Sequence, residues 1–183
     1  MALLLKLRAV MATLVVTGSL GLGAAQAADG GLTDFQPCPD SLAIEGGAEP
    51  DHKWDLTLSP YTYHWHYSPE HHPVRLVAMD RHLSGGRFCG LALFNNSFGQ
   101  GSAYAYVGQR WDNLLGNPKL FTKVSVGLLY GYRNEYKNKI PFNNYGIAPA
   151  IIPSLGYAFT PTDSAQVFML GTAGLLFAYG HSF

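Results

Sequence analysis

Charged residues are scarce in this chain of 183 residues, in which Asp, Glu, Lys and Arg together account for 13% of the sequence. Twelve basic residues balance twelve acidic ones, so the formal net charge is zero. The sequence shows no basic patch, which argues against a nucleic-acid-binding protein, because such proteins concentrate Lys and Arg on one face. So little charge also argues against an ordinary water-exposed surface.

Long apolar runs are lacking beyond residue 53. From Trp54 onward the sequence contains no apolar stretch of about 20 residues, the length that a membrane-spanning helix needs. It contains instead 13% aromatic residues and 21 glycines, in segments of about ten residues that turn residues separate. An aromatic, glycine-rich and charge-poor composition of this kind is typical of outer-membrane barrels.

Residues 1–27 predict a cleavable secretory signal. Lys6 and Arg8 give its first residues a positive charge, and residues 9–24 are apolar. Ala25-Gln26-Ala27 fits the small-x-small rule for a cleavage site. A retained membrane anchor is the alternative, against which its glycines and the cleavage site argue. Residues 28–53 then predict an irregular periplasmic segment in an oxidising compartment.

Residues 54–183 predict a barrel of alternating strands. The clearest strand is 121–133, where small or polar side chains alternate with an apolar face suited to lipid. That apolar face carries Val124, Val126, Leu128, Tyr130 and Tyr132. The eight strands are expected near residues 54–67, 74–83, 87–97, 103–112, 121–133, 147–160, 164–172 and 174–183.

An even number of strands closes a sheet and leaves no unpaired edge in lipid. We therefore predict an all-β fold, an eight-stranded antiparallel transmembrane β-barrel of the outer-membrane type. A soluble lipocalin-like barrel has a similar size, but it normally carries more surface charge than this chain offers.

The ends of two predicted strands carry residues suited to nucleophilic chemistry. His64 and His66 end the first strand, and Asn96 and Ser97 end the third after the apolar run Leu91–Phe94. Both strands run outward, so these side chains converge on the outer rim, where a histidine, a hydroxyl and a carboxamide make one candidate site. The plainer alternatives are a turn at Asn96-Ser97 and a membrane-surface histidine at position 64.

At these residues the sequence resembles the PagP family of outer-membrane lipid A palmitoyltransferases. The similarity runs from about Trp54 to Phe183 and includes the histidine that ends the first strand, Ile140-Pro141 and a proline-bearing sixth strand. It implies a barrel with an inner hydrocarbon cavity that moves an acyl chain from a glycerophospholipid to lipid A. It implies no metal or organic cofactor, and we expect a monomer among outer-membrane lipids, without nucleic acid.

The resemblance places the family's catalytic histidine on His64 and its serine on Ser97. Asn96 stands where the family has an acidic residue, and an asparagine side-chain oxygen also holds an imidazole tautomer in Cys-His-Asn sites. We therefore predict His64 as general base, with Asn96 and Ser97 positioning the donor ester, the acceptor hydroxyl or the base. The family's amphipathic N-terminal helix is not visible in residues 28–51.

Two alternatives to acyl transfer remain open at this point. The same barrel suits lipid A deacylation, in which water replaces the acceptor, and it also suits non-catalytic lipid binding. Glu70, His71 and His72 suggest a metal site, but a solvated outer loop explains them better because no second ligand set has regular spacing.

Prolines and cysteines give two further expectations. Pro60, Pro149 and Pro153 lie inside predicted strands, where a missing N–H marks a bulge, a strand end or a gap through which lipid tails enter.

Cys38 and Cys89 fall on the same side of the membrane and predict a disulfide, with two unrelated thiols as the alternative.

Overall fold

A computed structural model describes residues 37–183, which form one closed antiparallel barrel. Each strand pairs with its neighbours in sequence, and the last strand pairs with the first. The strands are β1 (Trp54–His64), β2 (Leu76–His82), β3 (Arg87–Asn95), β4 (Gly101–Trp111), β5 (Leu120–Tyr130), β6 (Ile147–Ala158), β7 (Asp163–Met169) and β8 (Gly174–Ser182). The predicted eight-stranded barrel is confirmed. The predicted signal peptide, residues 1–27, lies outside the described residues.

The connections between strands lie at the two ends of the barrel, which we call the loop rim and the turn rim. The loop rim consists of residues 65–75, 96–100, 131–146 and 170–173, and the turn rim consists of residues 83–86, 112–119 and 159–162. Short 3-10 turns lie at Asp40–Leu42, Ser84–Gly86, Leu114–Gly116 and Asn134–Lys139. No helix within residues 37–183 is long and apolar enough to cross a membrane.

The barrel is apolar outside and largely polar inside. Along β5, Val126 and Leu128 are 50% and 60% exposed, whereas Lys123 and Ser125 are buried. The same outward exposure holds on other strands for Val77, Met79, Leu91, Leu93, Ile151, Leu155, Phe177 and Tyr179. An apolar band of this extent marks a surface that lipid covers.

An ionic cluster fills the interior near the turn rim. Lys123 Nζ lies 2.8 Å from Asp55 Oδ2 and 3.2 Å from Asp80 Oδ2. His82 Nε2 lies 2.9 Å from the same Asp55 oxygen, and the Tyr106 hydroxyl donates to Asp80. Asp55, Asp80 and His82 are close enough together to share a metal ion. The Lys123 ammonium already lies between the two carboxylates and offsets one of their two negative charges, so we interpret the cluster as a structural plug.

The predicted disulfide is present between Cys38 and Cys89, whose Cα atoms lie 5.8 Å apart. It ties the segment before β1 to the start of β3. Backbone hydrogen bonds from Ile44 N to Ser84 O and from Gly85 N to the segment hold it against the turn rim as well. Closing a loop of this length contributes about 4 kcal/mol by chain entropy.

β1 is shorter and less regular than predicted. It ends at His64, so the prediction that His66 also belongs to the first strand is wrong, and His66 lies in an exposed loop. The register against β8 shifts between Leu58 and Tyr61, around Pro60, which has no N–H for the ladder. Beyond this bulge the side chains of Thr62 and His64 again point into the barrel, and His64 lies at the loop rim.

Candidate active site

His64 and Ser97 meet at the loop rim. His64 Nε2 lies 2.7 Å from Ser97 Oγ, although 33 residues separate them in sequence. The histidine is the last residue of β1 and the serine follows β3, so only β2 stands between the two strands. A hydroxyl in hydrogen-bond contact with an imidazole is the arrangement of an activated nucleophile and its base.

A tight loop places Ser97. The Asn96 side-chain oxygen accepts hydrogen bonds from Phe98 N and Gln100 N, both at 3.0 Å. The Asn96 N–H donates to Gln100 O, and Ser97 O accepts from His72 N at 2.8 Å. Asparagine bonds its own backbone two residues ahead, which is why this residue type starts such loops.

Asn96 uses its side-chain oxygen within its own loop. Its side chain is only 1% exposed, and its oxygen is occupied by the two backbone amides. Within residues 37–183 its Nδ2 has no hydrogen-bond partner. The expectation that the Asn96 oxygen holds the His64 imidazole is wrong, because the local turn competes successfully for that oxygen.

The sequence did not indicate the aromatic groups beside the pair. The His71 ring lies 4.3 Å from the His64 ring, and the Phe98 ring packs edge-on against His71 at 5.6 Å. Phe98 in turn stacks on Tyr136 at 4.2 Å and carries Lys139 Nζ 5.2 Å above its ring. The sequence predicts a solvated loop at His71, and no periodic signal connects this residue with His64.

Tyr132 also departs from its predicted place. Alternation predicts it on the outward face of the fifth strand, but β5 ends at Tyr130 and Gly131 breaks the alternation with a φ of 148°. Its ring instead packs edge-on against Phe98, in the loop that carries Ser97, with 6.0 Å between the ring centroids. Burial raises the pKa of Tyr132, so its hydroxyl stays protonated at neutral pH.

One solved structure with which the chain was compared is similar in fold. That structure, described as "De novo design of transmembrane beta-barrels", shares 12% identity at a TM-score of 0.55, and the similarity covers 74% of this chain and 100% of that chain. The fold is that of a transmembrane β-barrel. No family model matches the chain, and no curated protein matches it either.

An apolar cavity lies inside this transmembrane barrel, between the ionic plug and the loop rim. Its volume is about 60 Å³. Its walls include Leu76, Ala78, Ala92, Tyr104, Ile152 and Leu176, and Asp80 and Lys123 also line it. A cavity of about 150 Å³ is known to hold benzene. A long acyl chain therefore enters this cavity only if side chains move.

Two strand ladders are incomplete toward the loop rim. Among the described residues, 60–64 of β1 have no partner in β2, whose pairing with β1 stops at Ser59. Pairing between β6 and β7 begins only at Ser154, which leaves residues 147–153 unpaired on that side. The prolines that the sequence singled out are in these gaps, Pro60 in the first, Pro149 and Pro153 in the second. The gaps occur where a proline has no N–H to complete the ladder.

Proposed function

We propose that this barrel is an outer-membrane enzyme that transfers a palmitoyl-type acyl chain from a glycerophospholipid to lipid A. The observation that carries the proposal is the contact of 2.7 Å between His64 Nε2 and Ser97 Oγ at the rim of a transmembrane barrel. A lipid surface surrounds the barrel, so lipid esters are the substrates nearest to this pair. The resemblance to the PagP family supports the same activity.

The contact suits acyl transfer in two half-reactions. His64 Nε2 takes the Ser97 proton as Ser97 Oγ attacks the ester carbonyl of the donor, and the carbonyl electron pair moves onto its oxygen. Collapse of this intermediate expels the lysophospholipid alcohol, which receives the proton from His64. An acceptor hydroxyl of lipid A then attacks the acyl-serine carbonyl while His64 removes the hydroxyl proton. Collapse of this second intermediate breaks the bond to Ser97 Oγ, which takes the proton back from His64.

The ladder gaps support access from the membrane. Residues 60–64, which lead into the site, have no β2 partner in the described part of the chain, so the hydrogen-bonded barrel wall is interrupted beside His64. In hydrocarbon an unpaired backbone group costs several kcal/mol, so an opening at this position calls for a compensating role. Entry of a lipid ester from the membrane through this gap is such a role.

Hydrolysis of a lipid A ester is the second candidate, and the small cavity favours it. A cavity of about 60 Å³ does not shelter a palmitoyl chain between the two half-reactions. An acyl-serine whose chain stays in the leaflet leaves its ester near the aqueous rim, where water competes with a lipid acceptor. The two candidates share the first half-reaction and differ only in the second.

Mass spectra of lipid A separate these activities. Cells that produce the wild-type protein are compared with cells that produce Ser97→Ala or the control His66→Ala, which alters an exposed loop residue. Transfer predicts a gain of one acyl mass in wild type and in His66→Ala, with none in Ser97→Ala. A loss of one acyl mass indicates hydrolysis, and unchanged lipid A in all strains refutes both activities in favour of a binding barrel.

A further inference from the structure

A crevice lies on the outside of the barrel at the turn rim, the opposite rim from His64 and Ser97. Its volume is about 150 Å³. A cavity of this size holds benzene, so the crevice has room for a segment of one acyl chain. The residues that shape it are Leu42, Arg87, Val107, Trp111, Val124 and Val126.

The segment before β1 forms one wall of this crevice, and the barrel forms the other. Val107 pairs with Cys89 on one side and with Val126 on the other, so the apolar surface begins beside the disulfide. Leu42 follows Cys38 by four residues and faces this surface across the crevice. Trp111 is half-exposed at its edge, and tryptophans at such places lie at the level of the lipid headgroups.

The positive charge around the crevice has no negative counterpart among residues 37–183. Arg87 is exposed, lines the crevice and forms no ion pair with a carboxylate of the described residues. Arg81 pairs with Cys89 in the ladder, is 8% exposed and lies 5.3 Å from the Trp54 ring. Within residues 37–183 its Nη1 has no hydrogen-bond partner, and Asp40 forms no ion pair with either arginine.

We propose that this crevice binds one glycerophospholipid of the surrounding membrane whose headgroup carries a net negative charge. The lipid phosphate accepts hydrogen bonds from the Arg87 guanidinium, whose planar N–H groups match phosphate oxygens. One acyl chain lies along Val107 and Val126. A zwitterionic headgroup brings its own cation toward the arginines, so it binds less well. The site is independent of the proposed acyl transfer, because it uses neither residue of the His64–Ser97 pair.

Fluorescence of Trp111 measures which lipid occupies the crevice. The chain has three tryptophans, so Trp54→Phe/Trp65→Phe leaves Trp111 as the only tryptophan of a reporter protein. This protein is reconstituted in mixed vesicles of phosphatidylglycerol and phosphatidylcholine, in which one lipid at a time carries dibrominated acyl chains. Quenching by bromine gives the relative association constant of the two lipids. We expect phosphatidylglycerol to be favoured roughly 5-fold, and Arg87→Gln to remove this preference.

Two further variants separate a bound lipid from diffuse attraction to surface charge. Lys119→Gln is the matched control, because it removes an exposed cation at the same rim outside the crevice, and it should keep the preference. Val107→Phe keeps both arginines and fills the crevice, so it should remove the preference, and it decides the proposal if Arg87→Gln does not fold. Equal association of the two lipids with the reporter protein overturns the proposal. An unchanged preference in Arg87→Gln or Val107→Phe, or an equal loss in Lys119→Gln, overturns it as well.

Discussion

Replacing Lys123 should cost this barrel a large part of its stability. The ammonium lies 2.8 Å and 3.2 Å from the carboxylates of Asp55 and Asp80, and all three side chains are buried. Lys123→Met keeps the approximate length of the side chain and leaves two carboxylates without their cation. Removing one partner of a buried ion pair typically costs 3–5 kcal/mol, so we expect a loss of about 4 kcal/mol in the free energy of unfolding.

Urea unfolding in phospholipid vesicles, followed by tryptophan fluorescence, measures this loss. Lys119→Met is the control, because Lys119 lies exposed at the turn rim and should change stability by less than about 0.5 kcal/mol. Adding Asp80→Asn to Lys123→Met removes the charge of one of the two carboxylates that have lost Lys123, and it should recover at least about 1 kcal/mol. A loss below about 1 kcal/mol in Lys123→Met, or no recovery in the double variant, refutes the interpretation of the cluster as a plug.

Two further predictions concern the disulfide and Asn96. Cys38→Ser/Cys89→Ser should unfold about 2–4 kcal/mol more easily in the same vesicles, and the denatured, unreduced wild type should show no free thiol. A wild type with two free thiols contradicts the bond. Asn96→Asp should not raise acyl-transfer activity, because its oxygen would still face Phe98 N and Gln100 N rather than His64. A several-fold gain in the turnover rate would show that position 96 does act on the imidazole.

Regular elements of the fold were predictable from sequence because their signal is local. Period-two alternation along β5 separates lipid-facing Val126 and Leu128 from inward Lys123, and this pattern requires no knowledge of the other strands. Topology then extends the prediction, since two outward-running strands must end at the same rim. That reasoning is sufficient to bring His64 and Ser97 together.

The details of the site were not predictable because they depend on contacts between loops. Asn96 had two possible uses for its oxygen, and the loop that it begins takes that oxygen for two backbone amides. Tyr132 lies beyond the end of β5, where Gly131 has a positive φ and Asn143 Nδ2 donates to Tyr132 O. His71 reaches His64 across a loop without periodic pattern, so neither partner indicates the other in sequence.

The cluster around Lys123 shows a third kind of limit. Its inward position follows from alternation, but its partners come from β1 and β2, and the ion pairs depend on how those strands are aligned in the closed barrel. A one-residue change of register would turn the partner side chains outward. Sequence pattern predicts which face a charge takes and leaves the identity of its partner to the tertiary structure.

The most direct test of the central claim is to trap the acyl group on Ser97. Purified protein is incubated with a glycerophospholipid that carries an isotope-labelled palmitoyl chain, without lipid A, and its intact mass and labelled peptide are measured. We predict that wild type and His66→Ala gain one labelled acyl group on Ser97, while Ser97→Ala gains none and His64→Ala is acylated at least about 100-fold more slowly. Acylation of His64→Ala at the wild-type rate, or of a residue other than Ser97, would contradict the account.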